Sequence, residues 1–167
     1  MDRLTRFVAG AAFIALLGMV GVTLADIALR LISRLPWASV TRLAPAAVPG
    51  VVDLVEFALV TVAHLSIAVT FLLGTHVTVD IVAAKMPARG RAFTRRLGWA
   101  LSAAFMAACF GEALMQARSQ FREGLVSATI SLPIWWDWIP VVFGTALAAL
   151  ACLVHLVRSA AAAPREI

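Results

Sequence analysis

The 167 residues are 62% hydrophobic and 14% charged, with a mean hydropathy of +0.95. A soluble domain averages about 25% charged residues, so this composition excludes an ordinary soluble enzyme and leaves room for about four membrane spans with no sizeable soluble domain. The net charge of +5 does not point to nucleic acid, because the cations stand in short connections beside apolar spans, where they set membrane orientation.

A first span is predicted from about Phe7 to Ile32, preceded by Arg3 and Arg6. Its uncharged run to Ala25 exceeds a signal-peptide core, so it is read as a retained helix. Asp26 and Arg30, four apart, stand on one helix face in an order that favours an ion pair, expected to be solvated at the interface. Leu35 to Gly50 carries Pro36, Pro45 and Pro49, which prevent one continuous helix; an irregular or interfacial segment with Trp37 at the membrane surface is expected.

The second span is predicted over 51–79. It contains the longest stretch without Lys, Arg, Asp or Glu, Phe57 to Val79, and Asp53 and Glu56 stand near its start. Thr61, His64, Ala68 and Thr75 form a mildly polar stripe, of the kind that faces another helix. Lys85 to Arg96 holds five cations and no acid, and Pro87 and Gly90 predict a loop there.

A third span is predicted over 97–117. Ala100, Ala104 and Ala108, and likewise Ala103, Ala107 and Gly111, repeat at the spacing that lets helix backbones approach. Glu112 is the one acid inside this span, off centre. Arg118 to Ser131 reads as a polar connection, and the Trp135-Trp136-Asp137-Trp138 run as an interfacial belt. The fourth span is predicted over 138–157, with Gly144, Ala148 and Cys152 as another small-residue stripe. Cys109 and Cys152 are read as small buried hydrophobes.

The expected fold is therefore an all-α integral membrane protein, one membrane domain over residues 1–167 with four transmembrane helices. Arg3, Arg6, Lys85, Arg89, Arg91, Arg95, Arg96, Arg158 and Arg165 share one side. Arg30, Arg34, Arg42, Arg118 and Arg122 share the other. The excess places both termini in the cytoplasm and the Trp-rich turn outside.

No catalytic set, cofactor site or metal site is expected. There is no Gly-rich phosphate loop, no Cys/His cluster at metal spacing and no Ser nucleophile motif. Two other readings meet obstacles. A membrane anchor of a redox enzyme would hold haem or quinone between helices, yet His64, His76 and His155 differ in depth or face. A small proton-coupled exporter would need a central acid, and Glu112 is off centre.

Four motifs together resemble the small membrane subunit (DctQ-type) of tripartite ATP-independent periplasmic (TRAP) transporters, over roughly residues 19–158. Ile27-Ala28-Leu29-Arg30 closes the first span and Glu56 begins the second. Gly74-Thr75-His76-Val77-Thr78-Val79-Asp80 is followed by Met86-Pro87 and the basic stretch. Leu132-Pro133-Ile134-Trp135 is followed by Pro140 and Gly144. The resemblance implies a subunit of the bacterial inner membrane that pairs with a large TRAP membrane subunit carrying the substrate and sodium sites. A periplasmic solute-binding protein delivers a carboxylate solute in such systems. Arg30 and Glu56 are expected to pair with each other or with the large subunit. His76 and Asp80 are expected to be structural. Trp136, Asp137 and Trp138 are candidate docking residues.

Overall fold

The computed structural model describes residues 2–34, 47–74 and 87–161. Four long helices carry these residues: α1 Asp2–Ser33, α2 Val51–Leu73, α3 Ala88–Glu123 and α4 Trp138–Ala161. A short 3-10 turn, Ile134–Asp137, leads into α4. All four helices are long and apolar enough to cross a membrane. Among the described residues there is no strand, only an isolated antiparallel bridge between Val126 and Pro133.

Glycine and proline set the helix limits. Gly50 and Gly74 flank α2 in the left-handed region, at φ 69° and 66°. Few residues other than glycine adopt that conformation cheaply. The Gly74 N–H donates to the Phe71 carbonyl, so α2 ends at Leu73, short of the predicted limit at residue 79. Residues 75–79 lie outside the described residues.

The third helix is longer than its apolar stretch. At about 1.5 Å per residue, its 36 residues reach about 54 Å, well beyond a hydrocarbon core of about 30 Å. Pro87 caps its start in extended conformation, and Gly124 at φ 63° ends it. Gly90, expected to break the helix, lies inside it, and Arg118 to Glu123, expected in a connection, form its last turns. A helical glycine costs only about 1 kcal/mol relative to alanine, which the Arg- and Ala-rich neighbours can absorb. Pro140 sits in the first turn of α4, where the missing N–H removes no helical bond.

The packing is an open row. α1 lies on α2, α2 on α4, and α4 on α3; among the described residues no comparable packing joins α1 to α3. Within the spanning segments, 33% of α4 is buried, against 11% of α1 and of α3. One core cluster joins Phe71 and Leu72 of α2 to Ala103 of α3 and Ala148, Ala151 and Cys152 of α4, with Trp99 and Met106 against it. A second joins Val8 and Ala12 of α1 to Leu65 and Ala68 of α2, with Leu147 alongside. The small residues Ala103, Gly144, Ala148 and Cys152 are buried as their spacing predicts, whereas Ala104, Ala107 and Ala108 are exposed on α3. Both cysteines are free thiols; Cys152 is buried and Cys109 partly so.

Hydroxyls within the spans bond back to their own helix. Thr61 donates to the Phe57 carbonyl, Thr70 to Ser66 and Thr145 to Val141. In an apolar medium this satisfies the donor without a partner helix.

Candidate functional site

The residues singled out from the sequence fall mainly at one end of the row, where α1 finishes and α2 and α4 begin. Three contacts tie that end together. Asp26 accepts from the Arg30 Nε at 2.7 Å and from the Val48 N–H at 2.9 Å, joining α1 to the entry of α2. Asp53 in the first turn of α2 accepts from the Ser127 hydroxyl in the α3–α4 connection. Ile130 of that connection packs directly on Gly50, where a Cβ would overlap the Ile130 side chain.

The connection is a short hairpin. Ser127 N–H donates to the Leu132 carbonyl and Ile134 N–H to the Leu125 carbonyl. Ser131 takes a positive φ of 54° to turn the chain. Pro133 then opens the 3-10 turn in extended conformation. Trp135 packs edge-on against Phe121 of α3, with ring centres 5.4 Å apart, and against Trp136 at 6.1 Å. Trp135 is thus an anchor into the protein, while Trp136 is exposed.

Between the start of α2 and this turn lies a cleft of about 260 Å³. Its walls are Leu54, Phe57, Leu132, Pro133, Ile134 and Trp136, and its carboxylates are Asp53, Glu56 and Asp137. Among the described residues no basic side chain bonds to Glu56 or Asp137. No group of three or more His, Cys, Asp or Glu side chains among the described residues is arranged to hold a metal ion.

Two further predicted positions are explained by close approach. Gly144 of α4 is buried against α2, where a Cβ would come within 2.6 Å of the His64 carbonyl oxygen. Gly74 meets the ring of His155, with a built Cβ 3.1 Å from Cε1, and that ring stacks on Trp99 at 4.5 Å. His155 Nε2 is buried without a hydrogen-bond partner. His64 Nδ1 donates to the Val60 carbonyl at 2.9 Å, as a carbonyl can only accept. His64 faces Gly144, and His155 lies eleven residues further along α4, roughly 16 Å away at the helical rise. The two imidazoles therefore stand at different depths, as their sequence positions predict.

Arg30 and Glu56 do not pair with each other. The Arg30 guanidinium is held by Asp26, and that carboxylate is buried rather than solvated: the side chains are 57% and 11% exposed. The sequence marked the Asp26–Arg30 pair but carried no sign of the Val48 bond, which joins residues 22 apart. Gly50, Ser127 and Ile130 were also missed, since their roles arise only when the hairpin folds onto α2. His76, Asp80, Trp37 and the basic residue Lys85 lie outside the described residues.

A family model for the tripartite ATP-independent periplasmic transporters, DctQ component, matches residues 19–162. The chain belongs to the DctQ family. No curated protein and no solved structure gives a significant match. A DctQ protein is a component of a TRAP transporter and works with the other components of that system; the family is one of transporter components, not of enzymes. With four apolar helices, this DctQ chain is a multi-pass membrane protein.

Proposed function

We propose that this DctQ protein is the scaffold subunit of a sodium-coupled TRAP transporter for carboxylate solutes. It seats a large permease subunit that carries the substrate and sodium sites. The family match over nearly the whole chain is the observation that carries this reading. The open row supports it: α1 and α3 each leave most of their length uncovered, and α3 keeps Ala104, Ala107 and Ala108 exposed. Small exposed residues allow a partner helix to approach closely in lipid.

The scaffold has a mechanical role. A permease domain that moves across the membrane needs a partner that stays in place. Trp135 packed on Phe121, with Trp136 and Trp138 beside it, supplies interfacial anchoring at one end. The arginines at the other end supply the second anchor. We place that basic end, with both termini, in the cytoplasm, and the protein in the bacterial inner membrane. The Trp136, Asp137 and Trp138 turn then faces the periplasm, where a solute-binding protein arrives.

Reconstitution tests this reading. Proteoliposomes holding the permease partner should take up a carboxylate when given its binding protein, a sodium gradient and this chain. Uptake should fall to background without the chain. Full uptake by the permease alone would remove the proposed role.

A further inference from the structure

The two ends of the row differ in charge. Asp26, Asp53, Glu56, Glu112, Glu123 and Asp137, the acids whose side chains are described, all lie toward the Trp-rich end. The opposite end carries a dense run of arginines at the start of α3. Arg96 in that run is committed: its Nε donates to the Ser159 carbonyl at 3.2 Å and its Nη2 to Ala160 at 3.5 Å, capping the end of α4. Arg91 and Arg95 are exposed, and their guanidinium groups make no hydrogen bond or ion pair among the described residues. They stand one turn apart on one face, where like charges repel.

The same face continues into the membrane through Gly98 and Ser102, at successive spacings of four, three and four residues. Gly98 is exposed, and nothing lies within 4 Å of where its Cβ would be. A cationic pair thus sits above a shallow notch in the helix surface. Leu97 begins the apolar stretch, which puts Arg95 at the level of lipid phosphates rather than in the hydrocarbon. From this geometry we propose that Arg91 and Arg95 hold the phosphate of an anionic phospholipid, whose acyl chain lies along Gly98 and Ser102. Guanidinium groups bind phosphate oxygens through paired, charge-assisted hydrogen bonds, and the bilayer supplies the anion where the helix leaves it. The proposal rests on the membrane-spanning helices and not on the transporter role.

Native mass spectrometry of the whole chain in neutral detergent tests it, with phosphatidylglycerol and phosphatidylcholine as the probes. Phosphatidylglycerol should be retained in preference. The double variant R91Q/R95Q should weaken that binding roughly ten- to thirty-fold, and R91K/R95K, which keeps the charge but not the paired guanidinium bonds, should fall between that variant and the native chain. R3Q/R6Q removes the same charge from α1 and should leave the binding unchanged. No preference for phosphatidylglycerol would overturn the proposal. So would an equal loss in R3Q/R6Q, which would mean diffuse surface charge, or displacement by inorganic phosphate, which would mean a free-anion site. Circular dichroism checks that each variant is folded. Should R91Q/R95Q misfold, salt titration of the native chain decides: the phosphatidylglycerol adduct must weaken with salt, and an adduct indifferent to salt contradicts the site.

Discussion

Gly144 of α4 presses on the main chain of His64 of α2, so closely that a Cβ at Gly144 would lie 2.6 Å from the His64 carbonyl oxygen and 2.8 Å from its carbon. These are backbone atoms, and a side-chain rotation cannot relieve the clash. The two central helices of the row are held at this crossing.

Gly144→Ala should therefore push α2 and α4 apart and destabilise the fold by about 1–3 kcal/mol, the range for overpacking. A thermal-unfolding series in detergent measures it. Shortening the His64 side chain in the same protein should not restore stability. Gly18→Ala and Gly21→Ala, where nothing lies within 4 Å, should be neutral or slightly stabilising within this chain. Equal stability of Gly144→Ala and Gly18→Ala would contradict the crossing.

Asp26 is the second test. Its carboxylate is buried and accepts from both Arg30 and the Val48 N–H. Asp26→Ala strands both donors, and an unmade bond to a buried group costs about 1–3 kcal/mol. Arg30→Ala removes a mostly exposed cation and leaves Asp26 its Val48 bond, so it should cost less. Paired unfolding curves for the two variants check the order. A larger loss for Arg30→Ala would mean that Arg30, not Asp26, carries the contact.

The hairpin between α3 and α4 gives a third. Gly50 holds φ 69° and is covered by Ile130, while Asp53 takes the Ser127 hydroxyl. Gly50→Ala meets both strain and the Ile130 side chain. Ile130→Ala should relieve the second problem only, so the double variant should recover part of the lost stability. A protease-protection assay at the hairpin gives the readout. No recovery at all would show that the φ strain alone decides.

Trp135 and Trp136 should separate structure from docking. Trp135→Ala opens a gap against Phe121 and, at a partly buried position, should lower stability by about 1–3 kcal/mol. Trp136 is exposed and should be nearly silent in stability. Under the proposed function, Trp136→Ala lowers uptake driven by the binding protein while the subunits still assemble. Unchanged uptake would leave Trp136 as a lipid-facing side chain only.

The sequence revealed the four apolar helices because runs such as Phe57 to Leu73 have no reading outside a membrane. It mislocated their ends for a physical reason. Apolar length reports where lipid begins, while helix length follows caps, so α3 runs through Arg89–Arg96 and Arg118–Glu123 until Pro87 and Gly124 stop it. Gly74 and Gly144 were visible as motif positions, but what they touch, His155 and His64, depends on how α2 and α4 pack. The Asp26–Arg30 pair was legible because an i,i+4 contact needs only the helix, whereas an Arg30–Glu56 contact would depend on how α1 and α2 pack, and Asp26 holds the guanidinium instead. The order α1–α2–α4–α3 was not legible at all, since several helices carry small-residue stripes and spacing alone does not choose among partners.

A chain that works as one subunit of a larger membrane transporter should leave the membrane together with its partner. The direct measurement is to purify the tagged chain in mild detergent after expression with its neighbouring genes, and to weigh and identify what stays bound. One large multi-span membrane protein should be recovered with it in equal stoichiometry. A chain that purifies alone and moves a solute in liposomes would contradict the subunit role, as would recovery with a soluble redox subunit and a haem absorbance band.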